Sequence, residues 1–369
     1  MTTTTITTVR VFDGAAMLEG SFDVTFTEQG IRAVTATTEE PIGSDTIIDG
    51  TGKTLLPGLI DTHVHFDSYA DLGEFTRWGL TTVLDMGTHP KSLVDRMRDQ
   101  TGLSDVRSSG SPASGPGSNQ TTKGSFALST VVSGPDDAPR FVADRVAEES
   151  DYIKIIIEDP ARVGDVALGG DTIAAIVQAA HTVGLQAIAH ASSTAAFHLG
   201  IDAGVDILTH VPLNGPITSE MAASMAVGNI RAIPTLIMMK GTASAVGLPD
   251  SGDGPGYHNA SASVTAMAAA GLMIAVGTDA NNAPFVPFRP ALGESMHDEL
   301  QLLVDAGLSP TEALRSATST AAALFGLDDR GSVREGSRAD LLLVTGDPTA
   351  DITATRNIDH VWTAGIPAS

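Results

Sequence analysis

The sequence contains no cysteine. Disulfides and thiolate metal sites are therefore excluded, and any metal must be held by histidine, carboxylate or lysine-derived ligands. Aromatic residues make up only 4% of the chain, while Ala, Gly, Val and Thr abound, a balance suited to a repetitive α/β scaffold with close helix–sheet packing. Basic residues are also scarce: 21 stand against 44 acidic ones, for a formal net charge of −23. Such a surface repels nucleic acid and anionic membranes. No apolar run reaches membrane-spanning length. Residues 1–6 lack the basic stretch and apolar core of a signal peptide. The expected setting is the cytoplasm, with a small-molecule substrate and neither nucleic acid nor membrane as partner. Apolar residues, in contrast, are plentiful: 42% of 369 residues are hydrophobic, enough for one large α/β domain and a satellite.

The chain ends read as strands. Residues 7–12, 22–26, 31–34 and 46–49 are short, largely alternating segments punctuated by Asp13-Gly14, Gly30, Gly50 and Gly52. They predict a small antiparallel sheet that cannot bury both faces alone. Residues 339–344 and 359–364 read as further strands of that sheet. A discontinuous β-sandwich domain built from 1–57 and 331–369 is therefore expected, flanking a domain that spans 58–330.

Inside that span strands and helices alternate. Strands are predicted after Gly58 up to His65, then at 81–85, 105–109, 152–157, 186–190, 206–210, 230–234 and 273–279. Alternation of this kind predicts a parallel sheet, and eight units over about 270 residues match a closed (β/α)8 TIM barrel. Ser309-Pro310 opens a closing helix as N-cap and first helical residue. The Gly-, Ser- and Pro-rich segment 110–120, extending towards 123, reads as a long loop, either a surface loop or an active-site lid.

Reacting groups in such barrels sit at the C-terminal ends of strands. The unusual polar residues occupy those places: His63 and His65, His190, His210 and Asp279. His63 and His65 are one residue apart on a strand, project to the same side and can grip one metal ion. Taken alone, the pair could equally be buried histidines bonded to backbone. Lys154 lies inside the apolar strand 152–157, where an ammonium is costly unless paired or neutralised. A salt bridge would satisfy it. A neutral amine could instead add carbon dioxide and become a carbamate, whose two oxygens can bridge cations about 3.5–4 Å apart. The ligand count then closes with His63, His65 and Asp279 on one metal, His190 and His210 on the other, and carbamylated Lys154 between them.

The pattern Pro57-Gly58-Leu59-Ile60-Asp61-Thr62-His63-Val64-His65, with Lys154, Ala189-His190-Ala191, Thr209-His210, Gly277-Thr278-Asp279 and the stretch 331–344, resembles the amidohydrolase superfamily. The resemblance is to its binuclear, carboxylated-lysine branch, and within it to the imidazolonepropionase-like and Xaa-Pro dipeptidase-like group. It implies two divalent ions, zinc first, with manganese, iron or cobalt as alternatives. It also implies a mechanism: a metal-bridging hydroxide attacks a carbonyl carbon, one metal polarises the oxygen, and Asp279 shuttles the proton to the leaving group. Asp61 would support the strand rather than ligate.

The implied reaction is hydrolysis of an amide C–N bond in a dipeptide, N-acyl amino acid or cyclic amide. An esterase, lactonase or carbamate hydrolase on the same site stays open. A mononuclear deaminase is disfavoured, because Ser193 stands where such relatives place a glutamate. A catalytically silent binding protein is the last alternative, although no ligand is missing. Family members often associate, which leaves a homo-oligomer open. Candidate substrate contacts are Tyr69, Tyr257, His258 and Arg289, the last flanked by Pro287 and Pro290 and equally able to pin a loop. His89 is a further candidate, with packing as its more ordinary role.

Overall fold

Both chain ends enter one eight-stranded sheet in the computed structural model, which describes residues 2–37, 44–124 and 126–368. The N-terminal part supplies β1 (Thr4–Val11), β2 (Phe22–Thr27), β3 (Gly30–Ala36), β4 (Thr46–Asp49) and β5 (Lys53–Pro57). The sheet is mixed, not purely antiparallel as the sequence suggested. β1 runs antiparallel to β2 but parallel to both β4 and β5. A bend explains this. Thr8 has φ 55°, its N–H donates to Asp23 Oδ1 at 2.9 Å, and the register slips between Ile6 and Val9. Before the bend β1 pairs with β4; after it, Arg10 and Val11 face Thr54 and Leu55 of β5. An irregularity of this kind lets one strand serve two ladders.

Seven parallel strands follow: β6 (Leu59–Val64), β7 (Leu80–Asp85), β8 (Asp105–Ser108), β9 (Ile153–Ile156), β10 (Ala187–His190), β11 (Ile207–Thr209) and β12 (Arg231–Ile233). They form two hydrogen-bonded groups, β6-β7-β8 and β9-β10-β11-β12. Helices Tyr69–Arg77, Lys91–Met97, Ala138–Ala147, Gly170–Thr182, Thr194–Ala203 and Ser219–Val227 connect successive strands. These strands are buried at nearly every position, as expected when both faces of a parallel sheet are covered. The fold is mixed α/β.

The strand expected over 273–279 has no regular ladder. It is tied by single parallel bridges, Ala232↔Ile274 on one side and Val64↔Ala280 on the other. Asp279 has φ 56°, which interrupts the pleat. Its N–H nevertheless donates to the His63 carbonyl at 2.7 Å, so the segment lies against β6. The segment expected as a long loop after β8 also differs. Ser111 to Gly115 are buried, and Ala113 bridges to Ile155, donating to the Lys154 carbonyl at 2.8 Å. Only its later part, through the short helix Asn119–Thr122, lies nearer the surface.

The chain returns with β13 (Leu341–Thr345), β14 (Ile358–Thr363) and β15 (Ile366–Pro367). β13 pairs antiparallel with β5 over its whole length. Val24, Phe26, Leu55, Leu341, Leu343 and Trp362 fill the core of this sheet, with the Phe26 and Trp362 rings edge to face at 5.2 Å. Arg330 couples it to the start of the parallel strands, bonding Asp105 at 2.6 Å and Thr82 at 3.0 Å. Pro310 opens its helix behind Ser309 in a capping box closed by Glu312. No single helix among the described residues is long and apolar enough to cross a membrane.

Candidate metal centre

The C-terminal ends of β6, β10 and β11, Lys154 of β9 and the segment after Ile274 deliver polar side chains into one cavity of about 410 Å³. His63, His65, Lys154, His190, His210 and Asp279 all line it. Donor atoms of His63, His65 and Asp279 lie within 4.8 Å of one another. Asp279 Oδ1 stands 3.2 Å from His65 Nε2 and 3.5 Å from His63 Nε2, and its Oδ2 is 4.0 Å from His210 Nδ1. The His190 and His210 rings are 4.4 Å apart between centroids, and those of His63 and His210 4.9 Å. His210 and Asp279 both sit in the left-handed region, at φ 70° and 56°, as does Thr235 at 47°, which bonds His210 Nδ1 at 2.8 Å. Strain gathered in this way marks a place where side-chain direction outweighs backbone comfort.

The electrostatics suit a cation. Burial holds His63 and His210 well below the ordinary histidine value and brings His190 down to about 4, so these imidazoles are neutral. Neutral imidazole is the form that ligates metal. Burial also pulls on His65, but its bond to Asp279 and the charges of Asp279 and Asp85 carry it upward. Burial brings the Lys154 amine down to about 7. Its Nζ donates to Thr209 Oγ1 at 2.9 Å and has no carboxylate within ion-pair distance among the described residues. The salt-bridge reading of Lys154 is therefore replaced by a buried amine whose charged form is disfavoured and which shares its cavity with the histidines.

The donor set tests the fit: His63 Nε2 and His65 Nε2 both face Asp279 Oδ1, at 3.5 and 3.2 Å. With neighbouring imidazoles, a carboxylate and no thiol, the donor set fits divalent ions of borderline hardness. Behind it, Asp61 Oδ1 accepts from the His63 and Thr278 N–H groups at 3.1 Å each, and Oδ2 accepts from Thr278 Oγ1 at 2.7 Å. This buried carboxylate staples β6 to the segment that carries Asp279.

The expected substrate contacts fare differently. None of Tyr69, Tyr257, His258 and Arg289 lines the cavity. Tyr69 begins a helix and is 53% exposed. Tyr257 and His258 open the helix Tyr257–Ala269, where Tyr257 packs beneath the Lys240 ammonium. Arg289 lies exposed beyond Phe285. His89 does line the cavity, joined by Lys123, Phe126 and Phe285, which sequence reasoning missed. The available signal was an aromatic residue in a polar loop of an aromatic-poor chain. A second, shallower cleft of about 570 Å³, lined by residues such as Asp13, Ser319, Arg330 and Arg334, contains none of the histidines.

The Amidohydrolase family profile matches residues 54–366. The chain belongs to the amidohydrolase family. It is thus a hydrolase of the class acting on carbon–nitrogen bonds, in a family that generally uses divalent metals. An imidazolonepropionase of Deinococcus deserti is 31% identical to this amidohydrolase over 197 residues, 52% of this chain and 43% of that protein. An uncharacterised protein of Mycobacterium tuberculosis is 26% identical over 336 residues, 84% of each chain. The crystal structure of a Xaa-Pro dipeptidase with bound methionine in the active site superposes with a TM-score of 0.82, covering 99% of both chains at 22% identity. That last likeness is one of fold.

Proposed function

We propose that this amidohydrolase cleaves an amide bond of a small molecule, with His63, His65 and Asp279 holding one divalent ion, His190 and His210 a second, and Lys154 bridging them as a carbamate. The observation that carries the reading is the meeting of four imidazoles, Lys154 and Asp279 in one cavity. Burial disfavours the charged form of the Lys154 amine, and a neutral amine can take up carbon dioxide, forming an N–C bond and releasing a proton. The ions, zinc first among the candidates, supply Lewis acidity that polarises a carbonyl and acidifies water. Asp279 accepts a proton at a carboxylate oxygen and returns it to the departing nitrogen, which its position beside His63 and His65 allows. Asp61 holds the backbones of His63 and Thr278 in place, so that the carboxylate and the imidazoles keep their mutual distances.

On this reading the parallel strands and the segment 273–280 close as a (β/α)8 barrel, supported by the bridges at Ala113, Ala232 and Val64. The eight-stranded sheet forms the satellite domain. The relatives named imidazolonepropionase and Xaa-Pro dipeptidase point to a cyclic amide or a dipeptide-like substrate. Metal analysis of the purified protein, followed by a panel of dipeptides, N-acyl amino acids and cyclic amides, tests the proposal. A protein that neither carries metal nor gains activity with zinc or manganese would refute it.

A further inference from the structure

The ligand residues make up only part of the cavity lining, and the rest carries features they do not explain. The rings of His89 and Phe126 lie 4.2 Å apart between centroids, tilted by 38°. This pair stands beside the ligand candidate His65. A Cβ on Gly87 would lie 3.5 Å from His65 Cε1 and 3.7 Å from Phe126 Cζ. The absent side chain of Gly87 therefore leaves a slot between an aromatic wall and the histidines. Two charged side chains outside the ligand set also line the cavity, Asp67 and Lys123. Lys53 and Lys91 are engaged in ion pairs, whereas Lys123 is exposed and forms none with a described residue. Met86, Ile156 and Phe285 give the remaining lining an apolar character.

Lys123 and Phe126 are three positions apart in the sequence and both line the cavity, so a cation and a ring face the same space. An amino acid presents the complementary pair, a carboxylate and a side chain leaving the same α-carbon. We infer that Lys123 and the His89–Phe126 wall select an N-acyl amino acid with a bulky, flat side chain. The Lys123 ammonium takes the carboxylate, the two rings take the side chain, and Met86, Ile156 and Phe285 take the acyl group. Offset aromatic contact favours a flat partner, and a lysine serves as a point charge for a carboxylate. An uncharged acyl group also suits this lining better than the ammonium of a dipeptide, which apolar walls penalise. The inference rests on the amide-hydrolase reading of the same cavity.

The test is calorimetric binding to the metal-loaded protein of N-acetyl-phenylalanine, its carboxamide, N-acetylglycine and glycyl-phenylalanine. The acid is expected to bind about fivefold tighter than its carboxamide and roughly tenfold tighter than N-acetylglycine. Lys123→Glu should erase the first difference and Phe126→Ala the second, with retained N-acetylglycine binding showing that the latter variant is folded. Equal binding of acid and carboxamide, unchanged preferences in either variant, or no binding of any of the four overturns the inference. Tighter binding of glycyl-phenylalanine would transfer recognition to Asp67 and overturn it too. Turnover is followed separately. The expected binding pattern without any cleavage sinks the hydrolase reading and leaves this selection standing.

Discussion

The Nζ of Lys154, on β9, donates a hydrogen bond of 2.9 Å to Thr209 Oγ1 at the end of β11, across the intervening strand that ends in His190. The hydroxyl thus aims a buried amine at the space between the histidines without charging a carboxylate against it. Lys154→Ala is expected to lose most bound metal and nearly all activity, read by elemental analysis and turnover. Full metal content in this variant would remove the bridging role.

Asp279→Asn keeps the size of the side chain and removes its basicity. The variant should fold with an unchanged melting temperature to within a few degrees and lose roughly 10²–10⁴-fold in kcat. Undiminished kcat would rule out the proton-transfer role.

Asp61 acts at a distance, through the backbone of His63 and both bonding groups of Thr278. Asp61→Ala should weaken metal binding by roughly 10–100-fold, the usual cost of losing a support behind a ligand. Competition with a chelator of known affinity measures this; an unaltered affinity would confine Asp61 to folding.

His297 governs part of the acid stability. It is buried between Thr355 and the Trp78 carbonyl, and burial together with the charge of Arg356 holds it at about 4. The unfolded chain takes up this proton near 6.5, so between 6.5 and about 4 the unfolded state binds more protons. Stability is therefore full at neutral pH and falls as the pH drops through that window, by up to ~3 kcal/mol. His297→Gln should flatten the loss between neutral pH and about pH 4.5 by ~2 kcal/mol in urea unfolding. Parallel losses in both proteins would contradict it.

Gly87 sets the width of the slot beside His65. Its backbone lies outside the positive-φ region, so a larger residue meets no backbone penalty there. Gly87→Leu should reduce kcat/KM for substrates with an aromatic side chain by roughly tenfold or more, and spare those without one. Equal effects on both classes would show that the slot is not where the side chain lies.

The candidate ligands were legible because the information is local. Each sits at the end of a short apolar run, and strand ends need only periodicity and a turn to be recognised. Lys154 was legible for the opposite reason, as a charge inside Tyr152-Ile153-Lys154-Ile155-Ile156-Ile157. Lys123 and Phe126 were not. They lie on the irregular segment after β8, and no local pattern says which cavity such a segment will line. The parallel pairing of β1 with β4 and β5 was hidden likewise, because it follows from the bend at Thr8 and from the hydrogen bond that Asp23 supplies. Tyr257 and His258 misled because a loop position after β12 was assumed, whereas they start the helix Tyr257–Ala269 and neither lines the cavity.

The pairing of β5 with β13 has a consequence for how the chain assembles. Thr54 Oγ1 bonds the carbonyl of Gly346, 292 residues later. A strand made early must wait, one edge unsatisfied, until nearly the whole polypeptide has been synthesised and its middle has brought the far end home. Exposed edges of this kind are prone to pair with strangers. Chains truncated before Leu341 should therefore aggregate through β5 even where the parallel strands have formed, and light scattering of such a truncation against the full chain would reveal it. The sheet can therefore be completed only once residues 341–345 are available to pair with β5.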